Sequence, residues 1–341
     1  MTTYPSVAVI TRTKDRPLFL QRAIKSVHSQ EYKNFTHVII NDAGDPQPVE
    51  ELLEKYKELT QGRVKVIHNT DSRGMEAASN KAIKSVESKY VAIHDDDDSW
   101  HPNFLKYCVD HMESTGVMGV VVTTDRIIEE IADNEIKLLS TERWLPDLKE
   151  ISLYRQCLDN FATPITFMYR RDVYKQIGFY DEELPVAGDW DFAIRFLSKY
   201  NIDYLNTQEA LAYYHHRPSA TGVNGNTVFA EKDKHLHFLN VLMNKYLRQD
   251  LENGTLGVGY IMNNLRYQRE TIEMQLTRES SKLEGQLNDK AEYIVNETKH
   301  IAQQSKDSFA KIEERLGVIE SKQDIVPVHK KITDKIRKII Q

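Results

Sequence analysis

The stretch 6–42, SVAVITRTKDRPLFLQRAIKSVHSQEYKNFTHVIIND, decides the fold class. It begins with the β-branched run 6–11, continues with an amphipathic stretch over 17–30 and ends with a second strand-like run over 36–42. A strand, a helix and a strand of these lengths predict a right-handed crossover between parallel neighbours. The stretch therefore predicts an α/β fold with a mostly parallel central sheet.

The same alternation continues along the next fifty residues. Helices are predicted over 48–60 and 74–86, and strands over 63–69 and 90–95. Strands that alternate with helices in this way form a sheet covered by helices on both faces. This pattern is typical of a Rossmann-like architecture.

Three polar clusters stand at predicted carboxyl ends of strands, namely 11–15, Asp42 and the run Asp95–Asp98. Ligands of open α/β sheets bind outside these ends, so we expect a nucleotide-diphosphate site there. A hard divalent cation would offset the repulsion within the aspartate run through carboxylate and phosphate oxygens. The alternatives are a solvated acidic turn for the run and an Asp-initiated turn for Asp42. Arg73, at a predicted helix start, is either a phosphate contact or a solvated cation.

The composition narrows the class of protein. The 341 residues are 40% hydrophobic and 28% charged, with a net charge of -6, which does not indicate nucleic-acid binding. The two cysteines, Cys108 and Cys157, lie far apart and favour a reducing compartment. The N-terminus lacks a secretion-signal pattern, and the apolar runs are too short to span a bilayer. We therefore expect a cytoplasmic protein and leave open a peripheral contact with the membrane.

Several segments resemble family-2 glycosyltransferases. VAVITRTKDRP and the following LQRAIKSVHSQEYKNFTHVIINDAGD are similar to the family opening VSVIIPTYNRP and L..AI.S...Q.Y.NFE.IVVDDGS.D. RGMEAASNKAI resembles G.S.ARN.GI, with Ser79 in place of the usual arginine, and HDDDDSWHPNFL resembles LDADDEW.P..L. TFMYRRDVYKQIGFYDEELPVAGDWDFAIRF is similar to the later segment lfRR.v...iGgFDE.l...EDwDlwlRl, with Gly188 replacing its first acidic residue. The resemblance spans about residues 6–218.

This resemblance implies a GT-A fold and metal-assisted, inverting sugar transfer. The resemblance implies nucleotide contacts from Thr11, Thr13, Asp15 and Asp42, and the predicted donor site also includes Arg73, Asp95 and Asp96. The implied ligands for Mn²⁺ or Mg²⁺ are Asp95 and, chiefly, Asp97. Lys14 and Asp15 stand where the family often has Tyr and Asn, which bears on the identity of the donor nucleotide. The expected donor is a nucleotide-diphosphate sugar, with UDP-sugars favoured, and the expected acceptor is a glycan or a lipid-linked glycan in surface polysaccharide or glycoconjugate synthesis.

Asp189 and His216 complete the predicted site. An inverting transfer needs one carboxylate to take the acceptor hydroxyl proton, and Asp189 stands at the position of the family's base. Its alternative role is that of a helix cap. The segment LAYYHHRPSATG resembles the family's YR.H...S element, which favours a metal-site role for His216 over His215. A structural histidine is the alternative.

The C-terminal third has a different pattern. Apolar residues recur every eleven residues; they include Ile261, Ile272, Leu283 and Ile294 in one register and Leu265, Leu276 and Leu287 in another. An eleven-residue period predicts a nearly straight or slightly right-handed coiled coil that joins copies of the chain. The predicted organisation is a glycosyltransferase domain over 1–225, a helical connector over 226–258, a coiled-coil oligomerisation region over 259–325 and a basic amphipathic helix over 328–341.

The last stretch, HKKITDKIRKIIQ, carries a net charge of +4 and an isoleucine-rich side. Such a helix either lies on an anionic lipid surface or packs within the oligomer.

Two other functions remain open. One is a catalytically inactive nucleotide-sugar-binding scaffold, which the presence of Asp95, Asp97 and Asp189 disfavours. The other is a metal-dependent phosphatase that uses the aspartate run. About 90 residues with their own ligand-like edge precede that run, whereas such phosphatases place their aspartate pair on the first strand.

Overall fold

The computed structural model describes residues 6–132, 135–226, 232–255 and 257–320, together with Lys335, Ile336 and Lys338. The chain divides into two compact units, Met1–Tyr267 and Gln268–Gln341. Apart from those three residues, the predicted basic helix over 328–341 lies outside the described residues.

The first unit contains two sheets. The seven strands of the larger sheet are β1 (Val7–Thr13), β2 (Phe35–Asp42), β3 (Val64–Asn69), β4 (Tyr90–Ile93), β6 (Gly119–Val122), β9 (Phe167–Arg170) and β10 (Ile202–Leu205). The four strands of the smaller sheet are β5 (Ser99–Trp100), β7 (Thr124–Ala132), β8 (Glu135–Arg143) and β11 (Ala212–His216). The larger sheet has the order β10-β6-β9-β4-β1-β2-β3, and the smaller one β5-β11-β7-β8.

The helices of the described residues are α1 (Pro17–His28), α2 (Pro46–Lys55), α3 (Lys57–Thr60), α4 (Met75–Lys84), α5 (Phe104–Thr115), α6 (Leu153–Gln156), α7 (Tyr174–Ile177), α8 (Gly188–Leu197), α9 (Lys232–Glu252) and α10 (Val258–Glu320). The predicted alternation of strands and helices from β1 to β4 is confirmed. The helix predicted over 48–60 is interrupted at Tyr56, which separates α2 from α3. The α/β fold class is confirmed.

The strands at the centre of the larger sheet are continuous apolar runs, which suits a sheet that is covered on both faces. Strand β1 pairs in parallel with both β2 and β4, and its apolar residues are buried on both faces of the sheet. Ala8 and Ile10 pack in one core, which includes residues of α4 and α8, whereas Val7 and Val9 pack in the other, which includes residues of α5. Strand β9 is antiparallel to both of its neighbours, so the sheet is mixed.

Two of the three strand pairings in the smaller sheet join segments that are distant in sequence. Strand β11 runs parallel to β7 and antiparallel to β5, and β7 forms an antiparallel ribbon with β8. The β7–β8 register shifts between Ile128 and Glu129, as in a β-bulge. Strand β5 directly follows the aspartate run, and the backbone amide of His215 in β11 donates to Asp98, so this sheet contacts the end of the run.

Helix α9 belongs to the first unit and contributes to a buried cluster there. Leu242, Met243 and Tyr246 of α9 join Ile194 of α8 and Met262 of α10 in one buried cluster. A Cβ on Gly259 would lie 2.2 Å from the backbone nitrogen of Leu247, so glycine permits the close approach of α10 to α9. Each large apolar side chain buried here contributes roughly 1.5–3 kcal/mol.

From residue 268 onward, α10 continues as a helix with an exposed apolar stripe. Leu276 and Leu287 are 65% and 68% exposed, and Leu283 and Ile294 are exposed to a similar degree. In the described part of the chain, no helix combines the length and the apolar character needed to cross a membrane. The eleven-residue pattern is therefore present on a continuous helix.

Candidate active site

The carboxyl ends of β1, β2 and β4 line a cavity of about 280 Å³. We name it the larger cavity because a smaller one adjoins it. Its lining includes Thr13, Lys14, Arg16, Asp42 and the whole run Asp95–Asp98. These residues come together because the three strands are neighbours in the sheet and their chains leave it at the same edge. The predicted convergence of the clusters is present for Thr13, Asp42 and the aspartates.

Arginines offset the charge of the aspartate run. Arg12 Nε donates to Asp95 Oδ1 over 2.9 Å, and Arg16 reaches Asp97 Oδ2 over 2.7 Å. Asp97 Oδ2 also accepts a hydrogen bond from Arg217, whose side chain is fully buried. The run is therefore a buried ion network and not a solvated turn, with Asp97 at less than a tenth of its full exposure.

Neighbouring aspartates of the run have opposite pKa shifts. Although burial disfavours its charge, Arg16 and Arg217 hold the pKa of Asp97 well below its usual range. Burial raises the pKa of Asp96 to about 7, against the opposing charge of Arg16. One oxygen of Asp96, Oδ2, is buried without a hydrogen-bond partner. The run thus holds one carboxylate that stays ionised, Asp97, beside one whose pKa lies near neutral pH, Asp96.

Asp42 lines the larger cavity and holds the loop that leads into α4. Its carboxylate accepts hydrogen bonds from Asn69 Nδ2 and Ser72 Oγ, both at 2.8 Å, and from the backbone amides of Arg73 and Gly74. Although burial opposes ionisation, these hydrogen bonds lower the pKa of Asp42. Asp42 therefore shapes the cavity wall as an anion.

Three of the residues predicted for the donor site do not line the larger cavity. The Thr11 hydroxyl lies 2.9 Å from His37 Nε2, beneath the cavity in the buried core. Asp15 accepts from the Asp45 amide over 2.8 Å and so joins the β1 and β2 loops. The Arg73 side chain lines a separate surface depression.

A smaller cavity of about 110 Å³ adjoins the larger one. Five residues line both, namely Arg12, Met75, Asp95, Asp98 and Tyr214. Asp189, at the start of α8, lines the smaller cavity, and its Oδ2 accepts from Asn160 Nδ2 over 2.8 Å. Burial raises the pKa of Asp189, against a backbone hydrogen bond and the charge of Arg12. The two cavities thus place the predicted base next to the aspartate run.

Glu76 is a buried carboxyl of the smaller cavity that the sequence analysis missed. Its Oε2 lies 3.4 Å from Arg12 Nη1, which is also 3.4 Å from the Ser79 hydroxyl. Burial raises the pKa of Glu76 to about 8, against the charge of Arg12 and with the aid of Asp189. A Cβ on Gly188 would lie within 2.6 Å of Glu76, so the glycine that replaces the family's acidic residue makes room for this side chain.

His216 lies on the same side of β11 as Tyr214, and the two ring centroids are 4.2 Å apart. Burial lowers the pKa of His216 to about 4, so its imidazole is neutral and could coordinate a metal ion. His215 is hydrogen-bonded to Ser99 and Glu129 instead. Its backbone amide donates to Asp98 Oδ1 over 2.8 Å.

The remaining missed residues share one property, which is a long separation in sequence from the aspartates that they contact. They are Arg12, Arg16, Arg217 and Asn226. The charged run TRTKDR at 11–16 was a usable signal for the first two, because cations at a strand end face the same edge as the aspartates.

The comparisons with known proteins agree with this geometry. Residues 6–178 match the family model Glycosyl transferase family 2. The chain belongs to glycosyl transferase family 2. A relative in Escherichia coli, provisionally named for colanic acid biosynthesis, is 27% identical over 196 residues, which cover 58% of this chain and 67% of the relative.

Two solved structures share the fold. S. aureus TarS 1–349 in complex with UDP-GlcNAc is similar with a TM-score of 0.55 at 19% identity, over 71% of this chain and 66% of that one. A mannosyltransferase from Pyrobaculum calidifontis in complex with GDP-Man and Mn²⁺ is similar with a TM-score of 0.50 at 17% identity, over 72% and 65%. The chain therefore spans slightly less than two thirds of these two proteins.

Proposed function

We propose that the protein transfers a sugar from a nucleotide-diphosphate sugar to an acceptor hydroxyl, with inversion and with the help of Mn²⁺ or Mg²⁺. The observation that carries this proposal is the pair of adjoining cavities, one lined by Asp42 and the aspartate run and the other by Asp189. The larger cavity would hold the donor and the smaller one the acceptor hydroxyl. A role in surface polysaccharide or glycoconjugate synthesis accords with the name of the Escherichia coli relative.

The larger cavity contains cations that would contact a diphosphate once a metal ion offsets the charge of its aspartates. Arg12, Lys14 and Arg16 line it and provide cations at the end of β1. Since both solved structures of similar fold contain nucleotide sugars, a donor of this class is favoured, with UDP-sugars as our first choice.

The aspartates fit a hard divalent cation that shares its coordination with the donor. In the described ranges, no group of three or more histidine, cysteine, aspartate or glutamate side chains is arranged to hold a metal ion. A Mg²⁺-type site needs only one or two carboxylates, because substrate phosphates and water complete it. Asp95 and Asp97 would hold the ion together with His216, which lines neither cavity, and the buried oxygen of Asp96 without a hydrogen-bond partner is further donor capacity. When bound, such an ion stabilises the negative charge of the departing diphosphate.

Asp189 is the proposed proton acceptor. It would take the proton of the acceptor hydroxyl while that oxygen forms a bond to the anomeric carbon on the face opposite the nucleotide. The bond between the anomeric carbon and the diphosphate oxygen breaks, and the nucleoside diphosphate leaves with its electron pair. A pKa raised by burial suits this role, since it makes the carboxylate a stronger base.

Incubation of the purified protein with a panel of nucleotide sugars and Mn²⁺ tests the function. We expect release of nucleoside diphosphate and transfer of the sugar to an acceptor or to water. Donor binding without turnover would instead support the scaffold, and hydrolysis of simple phosphate esters would support the phosphatase.

Metal dependence gives a separate prediction. A chelator should abolish transfer, and added Mn²⁺ should restore it. Asp97→Asn should raise the Mn²⁺ concentration for half-maximal activity by about 10-fold or more, because it removes the most anionic carboxylate of the run. The control is Asp110→Asn on the exposed side of α5, which should leave metal activation unchanged. Full activity of the wild type in the chelator would exclude the metal.

We also propose that α10 joins copies of the chain through its apolar stripe. Replacing both Leu276 and Leu287 with Asp would bury like charges in the seam and should dissociate the oligomer. Met274→Asp with Asn296→Asp adds the same charge on the opposite face of α10 and should leave the oligomer intact. Sedimentation velocity of the full chain decides the matter. A wild-type protein that sediments as a monomer would contradict the proposal.

A further inference from the structure

Glu129 is a buried anion outside both cavities. It lies in β7, is only 2% exposed and follows the register shift between Ile128 and Glu129. Shifts of this kind turn a side chain to the other face of a strand, and they recur beside active sites. The neighbouring residues 125–128 and Glu130 are partly exposed, so the register shift coincides with the burial of Glu129.

Three basic side chains converge on the Glu129 carboxylate. Arg22 binds both of its oxygens over 2.9 Å, Arg217 Nη1 donates to Oε1 over 2.7 Å, and His215 Nδ1 lies 2.8 Å from Oε2. Although burial alone would raise the pKa of Glu129, hydrogen bonds from His215 and Arg22 lower it to about 2. The carboxylate is therefore ionised at every working pH.

Two of these three residues also hold the aspartate run, Arg217 through its side chain and His215 through its backbone amide. Arg217 donates through Nη2 to Asp97 Oδ2, while its Nη1 is held by Glu129. The backbone amide of His215 donates to Asp98 Oδ1, and its ring Nε2 lies 2.8 Å from the Ser99 hydroxyl. Glu129 is thus one bridging residue away from two aspartates of the larger cavity, by two separate routes.

We propose that Glu129 is a positioning residue of the donor site, which fixes the carboxylates of Asp97 and Asp98 through Arg217 and His215. The inference rests on the proposed function, because it assigns Asp97 to the metal and the diphosphate. Without the Glu129 charge, the whole charge of Arg217 would fall on Asp97 and compete with a metal ion for its oxygens. Donor and metal binding should suffer, whereas proton transfer at Asp189, in the other cavity, should not.

The test is Glu129→Gln in the full chain, which keeps the size of the side chain and removes its charge. Changes in groups that orient metal ligands typically cost 10–100-fold, so we expect the donor KM and the Mn²⁺ requirement to rise by about 10–100-fold. At saturating donor and metal, kcat should change by less than about 2-fold, and its pH profile should keep the same position. Glu129→Asp should recover part of the loss.

Glu130→Gln is the matched control, because it makes the same charge change at the next residue of β7 and should leave the donor KM unchanged. If Glu129→Gln does not fold, Arg22→Gln serves instead, since Arg22 holds Glu129 and, within the described residues, makes no hydrogen bond to the aspartates. It should raise the donor KM by a smaller factor. A folded variant with an unchanged donor KM, or an equal loss in Glu130→Gln, would overturn the inference. Absence of any nucleotide-sugar turnover by the wild type would instead refute the proposed function.

Discussion

Asp189→Asn should lower kcat by about 10²–10⁴-fold while the affinities for donor and metal stay nearly unchanged. Asparagine keeps an oxygen that can accept the hydrogen bond from Asn160, so the start of α8 should remain in place. What it loses is the ability to take a proton from the acceptor hydroxyl. The base must be ionised, and its pKa is raised. Wild-type kcat should therefore fall as the pH is lowered, with an apparent pKa above that of an ordinary aspartate.

Donor binding by calorimetry and kcat from transfer assays, measured on the same preparation, separate the two effects. Glu183→Gln, on the exposed loop before α8, is the control and should behave as the wild type. If donor affinity collapses together with kcat, Asp189 belongs to the donor site or to the fold, and a different base must be sought.

The second large effect is a loss of stability in acid. His28 Nε2 lies 3.2 Å from His37 Nδ1, and His37 Nε2 lies 2.9 Å from Thr11 Oγ1, all in the buried core. Neutral imidazoles with the proton on Nε2 satisfy this chain of contacts, whereas protonation of His37 Nδ1 would place two donors face to face. Burial lowers the pKa of His28 to about 4 and that of His37 well below its usual value.

Because the pKa values of His28 and His37 are lower in the folded chain than in the unfolded one, the folded state loses stability as the pH falls. The unfolded chain takes up protons below about pH 6.5, but folded His28 does so only near pH 4, so stability is complete above 6.5 and falls as the pH drops towards 4. The loss from His28 alone is about 3 kcal/mol, at 1.36 kcal/mol for each unit of pKa difference, and His37 adds to it.

Urea unfolding of the first unit at several pH values between 7 and 4 measures this loss. His28→Gln should flatten the pH dependence by the share of His28, and His237→Gln, on the exposed surface of α9 in the same unit, should not. Parallel pH profiles for the wild type and His28→Gln would mean that other groups cause the acid sensitivity.

The sequence was sufficient for the first half of the larger sheet, because each of its elements has a local signature. The runs at β1 and β2 are short, continuous apolar stretches rich in β-branched residues, and α1 has the 3.6-residue period of an amphipathic helix. None of these signatures needs a distant partner. The smaller sheet has no such signature. Its pairing of His215 with Ile127 joins residues almost ninety positions apart.

The residues of the candidate site also fall into two groups, those that local patterns predict and those that depend on distant contacts. Thr13, Asp42 and the aspartates were predictable because they end strands whose neighbours could be inferred. Arg217 and Glu76 look like an ordinary loop cation and an ordinary helix glutamate, and only the folded chain places them against carboxylates or guanidinium groups. Asp189 was reached through the resemblance, since no local pattern connects it to the cavity.

The position of Arg12 has an evolutionary consequence. Its guanidinium, on β1, touches Glu76, Asp95 and Ser79, and Ser79 stands where the family's motif has arginine. The positive charge is thus supplied from a strand instead of a helix, and the two positions are expected to be epistatic. Arginine at both would crowd two cations into one pocket, and arginine at neither would leave Glu76 and Asp95 without the counter-ion they have here. A lineage could therefore move this charge only through paired substitutions, and a motif search that requires arginine at the helix position would overlook homologues of this kind.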